Sequence, residues 1–105
     1  MFTDKDRELI EKEFEELRIA SLKRCANQSE YETVLKAFDF ANAAHNGVRR
    51  RSGEPYILHP ISVAKIVVQE IGLGYKSIVS ALLHDIVEDT EYTTEDIERI
   101  FGAKI

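Results

Sequence analysis

Apolar residues in this chain recur three and four positions apart, and the pattern predicts five helices and no sheet. Thr3 and Asp6 have capping-box spacing and open a first helix expected to run to about Ala26, with Leu9, Ile10, Phe14 and Leu17 on one side and its many Glu and Lys residues facing water. Ser29 with Glu32 predicts a second cap. Val34, Phe38, Ala41 and His45 then form a stripe that stops at Asn46-Gly47. Pro60 suits the first position of a third helix carrying Val63, Ile66, Val67 and Ile71 and ending at Gly72, which puts His59 at its N-cap. A fourth helix is expected from about Lys76 to Asp89, and Thr93 with Asp96 opens a short fifth one that Gly102 ends. This is an all-α domain over residues 1–105. Residues 1–28 form an N-terminal packing helix, and 29–105 hold the segments with chemistry.

The fourth helix carries most of that chemistry. In ALLHDIVEDT (Ala81 to Thr90) one His and three carboxylates occur within six residues. At 100° per residue His84, Glu88, Asp85 and Asp89 fall within an arc of about 140°. Ile78, Val79, Leu82, Leu83, Ile86 and Val87 span about half the circumference, meeting the charged arc at Ile78 beside Asp89, and the small Ser77 and Ala81 lie within the charged arc. Any amphipathic surface helix shows two such arcs. Here the apolar arc is wide enough for a helix packed on several sides, where a fully solvated acidic face is less expected, and His beside Asp supplies two kinds of metal ligand at one point.

Composition narrows the function classes. A chain of 105 residues with 44% hydrophobic and 31% charged residues is a single soluble globular domain with room for one core. The N-terminal segment MFTDKDRELIEKEFEE is acidic where a signal peptide would be basic and then apolar, and no apolar run has membrane-spanning length, so a cytoplasmic protein is expected. A lone Cys25, read as an ordinary helix residue, excludes an intramolecular disulfide and argues against a structural zinc site. The net charge of −5 argues against sequence-independent nucleic-acid binding.

One local exception to the acidic balance is the loop GVRRRSGEPYILH, from Gly47 to His59, where Arg49, Arg50 and Arg51 are adjacent. Such a run is either simply solvated or, beside a Ser-Gly turn, a set of guanidinium forks and backbone N–H groups suited to phosphate oxygens. His45 shares a stripe with core residues and reads as a packing element that can also wall a pocket.

Three segments, AAHNG (Ala43 to Gly47), RRSGEPYILHP (Arg50 to Pro60) and ALLHDIVEDT, occur in an order and at a spacing that resemble the HD-domain phosphohydrolases. More narrowly, they resemble the hydrolase domain of the RelA/SpoT homologue family, which degrades guanosine tetraphosphate and pentaphosphate. FGAKI at the end is also similar to a family segment. The resemblance implies a partial HD-domain helical bundle in which His59, His84 and Asp85 are three of four protein ligands of a divalent ion, usually manganese. By the same resemblance Glu88 and Asp89 place and activate the attacking water, and Arg50, Arg51 and Ser52 contact the alarmone. Arg51 stands where the family commonly has Lys, which keeps the charge and changes the hydrogen-bond geometry.

The family's fourth ligand, an Asp, comes from helices that would follow Ile105, so the chain reads as the N-terminal half of a hydrolase domain. Weak metal affinity is therefore expected, and a homo-oligomer is expected to cover apolar faces of the central helices that the further helices would otherwise cover. The expected activity is release of pyrophosphate from the ribose 3′ position of (p)ppGpp. Two alternatives are a non-catalytic alarmone-binding or interaction module and an HD phosphohydrolase acting on another nucleotide.

Overall fold

In the computed structural model, which describes residues 2–86, 90 and 92–102, five α-helices follow one another: α1 Asp4–Leu22, α2 Gln28–Ala44, α3 Leu58–Ile66, α4 Tyr75–Leu83 and α5 Thr94–Phe101. The described residues form an all-α bundle with no strand. None of the described helices is long and apolar enough to cross a membrane.

Local chemistry sets most of the helix ends. The Thr3 and Thr93 side chains accept from the backbone N–H of Asp6 and Asp96, whose carboxylates accept in return from the cap N–H, so both predicted capping boxes form. The second cap differs from expectation. Asn27 accepts from the Glu30 N–H (2.9 Å), and Ser29 lies inside the first turn. Glu30 reaches back to the N–H of Ala26 (2.9 Å), so a second Asx/Glu pair two residues upstream takes the role assigned to Ser29 and Glu32. Helix α1 stops at Leu22, four residues short of the predicted end, and leaves Cys25 half-buried in the link to α2; burial, with Glu30 nearby, pushes its thiol pKa up.

Helix α3 starts earlier than Pro60. The N–H groups of Leu58 and His59 donate to the carbonyls of Pro55 and Tyr56 (3.2 and 2.9 Å), so the chain is already turning when it reaches His59. His59 therefore occupies the first turn and not the N-cap, with Pro60 one position further in, still within the stretch where a missing N–H costs nothing. Beyond Ile66 the helix widens into a π-turn over Val67–Ile71 and ends at Gly72, whose φ of 79° is the left-handed conformation that glycine adopts without strain.

Helix α4 lies at the centre, packed on α2 and α3, while α1 crosses α3 and α2 from outside. Ile78, Val79 and Leu82 of α4 are fully buried against Val34, Ala37 and Ala41 of α2 and Ile61 and Ala64 of α3. Phe14 of α1 stacks on Phe38 of α2 with ring centroids 3.7 Å apart. Lys65 of α3 reaches Glu13 and Glu16 of α1 at 2.6 and 2.9 Å, which raises the lysine pKa and lowers that of Glu16.

The buried face of α3 is not the predicted one. Pro60, Ile61, Ala64 and Val68 point inward, whereas Ile66 and Ile71 are 47% and 61% exposed. This helix is apolar nearly all round, so periodicity alone cannot select its inner side. The inner faces of α2 and α4 are covered by the chain's own helices, and large apolar side chains left in water include Ile19, Leu22, Ile66, Ile71 and Leu73.

Candidate metal centre and the adjoining arginine cleft

Helix α4 ends at Leu83. His84, still in helical conformation, is its C-cap, and His84-Asp85 form a turn before Ile86. The single helix predicted to continue to Asp89 is thus interrupted at the two residues of greatest chemical interest; Glu88 and Asp89 lie outside the described residues. The interruption has a local partner, since His84 Nδ1 is 2.7 Å from the Ala81 carbonyl oxygen. A carbonyl oxygen only accepts, so that contact makes Nδ1 the donor and leaves Nε2 as the ring atom facing Asp85. Nε2 of His84 is 3.1 Å from one carboxylate oxygen of Asp85, Oδ1, and Nε2 of His59, arriving from the first turn of α3, is 3.4 Å from the other, Oδ2.

His59, His84 and Asp85 each offer a ligand atom, and the three atoms lie within 4.8 Å of one another. Two imidazole nitrogens and a carboxylate oxygen form a donor set for a divalent ion such as manganese or zinc. The imidazoles are partly exposed and Asp85 is buried, so the group opens on one side to solvent and is closed on the other by core. Asp85 also accepts a hydrogen bond from the Tyr56 hydroxyl at Oδ2 (3.0 Å). Tyr56 was not among the residues that the sequence singled out. Its visible signal is a tyrosine in an apolar setting, PYIL, where a buried hydroxyl needs a partner.

The arginine loop is compact and has its own backbone bonds. The N–H of Tyr56 donates to Val48 (2.8 Å), that of Arg50 to Glu54 (2.9 Å) and that of Gly53 to Arg50 (2.9 Å), with Gly53 at φ 99° making the turn. Arg49 and Pro55 form an isolated antiparallel bridge. A cleft of about 630 Å³ opens over this loop, and its lining includes His45, Arg50, Arg51, Ser52 and Tyr56. The structure therefore places the three predicted contact residues on one cleft wall, and Tyr56 belongs to both the cleft and the carboxylate cluster. Arg50 lies 3.8 Å from Glu54, to which Ser52 also donates (2.7 Å). His45 is buried, at the C-cap of α2, and its ring lies 4.7 Å from that of Tyr56, so it is a packing element and also a cleft wall.

Arg49, which also lines the cleft, reaches α1, donating to Asp6 Oδ2 (2.6 Å) and to the Gly53 carbonyl (2.8 Å). Asp6 thus serves the α1 cap and anchors the arginine loop. The hydrogen bond from Arg49, with the backbone N–H of Thr3, brings its pKa down from 3.8 to about 2. A carboxylate whose folded pKa is depressed contributes stability above its ordinary value and loses it as pH falls toward the folded one, here between 3.8 and about 2. In a carboxyl NMR titration we expect an Asp6 midpoint near 2, and a higher one in Arg49→Ala; a wild-type midpoint at the ordinary value would show that the anchor does not form in solution.

The chain belongs to the HD domain family, whose model matches residues 37–105. Its relatives over about 70% of its length are RelA/SpoT (p)ppGpp hydrolases and synthases. It is 42% identical over 74 residues to guanosine-3′,5′-bis(diphosphate) 3′-pyrophosphohydrolase of Aquifex aeolicus (70% of this chain, 10% of the relative). It is 42% identical over 78 residues to the bifunctional (p)ppGpp synthase/hydrolase SpoT of Escherichia coli K12 (74% and 11%). With the chloroplastic protein RSH1 of Arabidopsis thaliana it shares 51% identity over 79 residues (74% and 9%). The chain spans about a tenth of the length of the curated relatives it matches.

Proposed function

We propose that this chain supplies the metal-binding and phosphate-binding half of a (p)ppGpp 3′-pyrophosphohydrolase site. The observation that carries the reading is the junction at Tyr56 of a His-His-Asp cluster with a cleft lined by arginines, in a chain whose relatives include hydrolases named for that reaction. A divalent ion, manganese by the family resemblance, would be held by His59, His84 and Asp85 and would make water a better nucleophile and stabilise phosphoryl charge. Arg50 and Arg51 would take phosphate oxygens in bidentate fashion, Arg50 exchanging its long contact with Glu54 for a charged ligand, and Ser52 would add a hydroxyl. Glu88 and Asp89 are the groups proposed to orient the water and take its proton. The water oxygen bonds to the phosphorus attached to the ribose 3′ oxygen, that P–O bond breaks, pyrophosphate departs, and the 3′ oxygen ends as a hydroxyl, leaving GDP or GTP.

Incubation of guanosine tetraphosphate and manganese with this chain extended by the helices that complete a hydrolase domain tests the reading. The expected result is release of pyrophosphate that chelation stops, with Arg50→Ala chiefly raising KM. Calorimetric binding of the nucleotide without pyrophosphate release would make the chain a non-catalytic alarmone-binding module. Release only from other nucleotides would make it a phosphohydrolase of different specificity.

A further inference from the structure

We propose that Tyr56 is a positioning residue for the candidate metal centre, its hydroxyl holding the Asp85 carboxylate in the orientation that faces the two imidazoles; the inference rests on the metal-site reading above. Asp85 is only 8% exposed, so its oxygens have little access to water, and a buried carboxylate turns to whatever donors surround it. The Tyr56 O–H fixes Oδ2 (3.0 Å), which sets the plane of the carboxylate and leaves Oδ1 directed at His84.

The phenol is itself held. Its ring lies 4.7 Å from that of His45 on one side and 5.9 Å, edge-on, from that of His59 on the other. Its backbone N–H closes the arginine loop on Val48. A donor fixed by packing and by a backbone bond orients its acceptor at little entropic cost, which is how groups behind metal ligands raise affinity. Because the same ring lines the arginine cleft, a ligand that displaces it would also disturb the carboxylate.

Tyr56→Phe removes one oxygen and keeps the ring between His45 and His59. The manganese affinity of the 105-residue chain, titrated by calorimetry and by electron paramagnetic resonance, should fall about 10- to 100-fold, the range typical of lost outer-shell partners. The manganese spectrum of any bound fraction should also change. Tyr31→Phe is the control: the Tyr31 hydroxyl is hydrogen-bonded too, to Arg18 (2.9 Å), but on the α1–α2 side, and its removal should leave affinity unchanged. A general loss of stability would affect both variants, whereas a positioning role affects only the first.

Wild-type chain that binds no manganese would overturn the metal-site reading and this inference with it. Binding by wild type and by Tyr56→Phe with affinities within about twofold, against the 10-fold minimum expected, would overturn this inference alone. Should Tyr56→Phe fail to fold, 3-fluorotyrosine incorporated at every tyrosine keeps the ring and makes the hydroxyl a stronger donor. Manganese affinity should then shift, and an unchanged affinity overturns the inference.

Discussion

Asp85→Asn should reduce manganese affinity by more than about 100-fold, beyond what losing an outer-shell partner costs, while leaving the chain folded. Asp85 is the point through which the cluster is connected: His84 and His59 each approach one of its oxygens, at 3.1 and 3.4 Å, and Tyr56 donates to it. The amide keeps the shape and one carbonyl acceptor for Tyr56 and removes the negative charge that offsets the cation. A neutral oxygen with an N–H₂ group beside it is a poor ligand between two neutral imidazoles. His84→Ala should cause a comparable loss for a different reason, since it deletes an imidazole whose Nδ1 is already committed to the Ala81 carbonyl and whose Nε2 faces Asp85. Calorimetric titration with manganese, alongside far-ultraviolet circular dichroism to follow the fold, measures both. Asp85→Asn binding within tenfold of wild type would move the ion elsewhere and remove the cluster's proposed role.

Leu82→Ala should destabilise the chain by about 3 kcal/mol, within the 2–5 kcal/mol range for emptying a buried leucine site. Leu82 is fully buried in α4, and α4 is gripped by α2 and α3, so the surrounding helices cannot close the space without moving the element on which His84 and Asp85 end. Against a total stability of roughly 5–15 kcal/mol this is a large fraction. The midpoint of thermal unfolding should fall by more than about 10 °C in a domain of this size. Ile66→Ala removes a comparable apolar side chain from a position that is 47% exposed and should shift the midpoint far less. Thermal melts of the two variants side by side decide the matter: equal shifts would mean that the burial pattern of α3 and α4 is wrong.

Ile66 and Leu82 also mark the boundary of what the sequence could say about packing. Both occur at helical spacing in apolar stretches, and only one is core. In α2 the stripe of Val34, Phe38 and Ala41 alternates with polar residues, so its inner face was legible and is the buried one. In α3 the apolar residues are spread round most of the helix, and the inner face was chosen by where α1 and α4 press on it. The capping boxes at Thr3 and Thr93 and the stops at Gly72 and Gly102 were legible because caps are local: a side chain, or the absence of one, satisfies backbone groups within three or four residues. The cap at Asn27 was missed because two capping patterns overlap there and both obey the same rule.

The sequence by itself determined an all-α chain, the approximate places of the five described helices and the residue types able to carry metal and phosphate chemistry, since these follow from local hydrogen bonding, periodicity and side-chain chemistry. Only the tertiary structure decided that His59, from α3, reaches Asp85 across the fold, that the helix bearing His84 breaks there, and that Tyr56 joins the cluster to the arginine cleft. These contacts link residues 25 to 29 positions apart in the chain and depend on how α3, the loop before it and α4 pack, which no local pattern encodes.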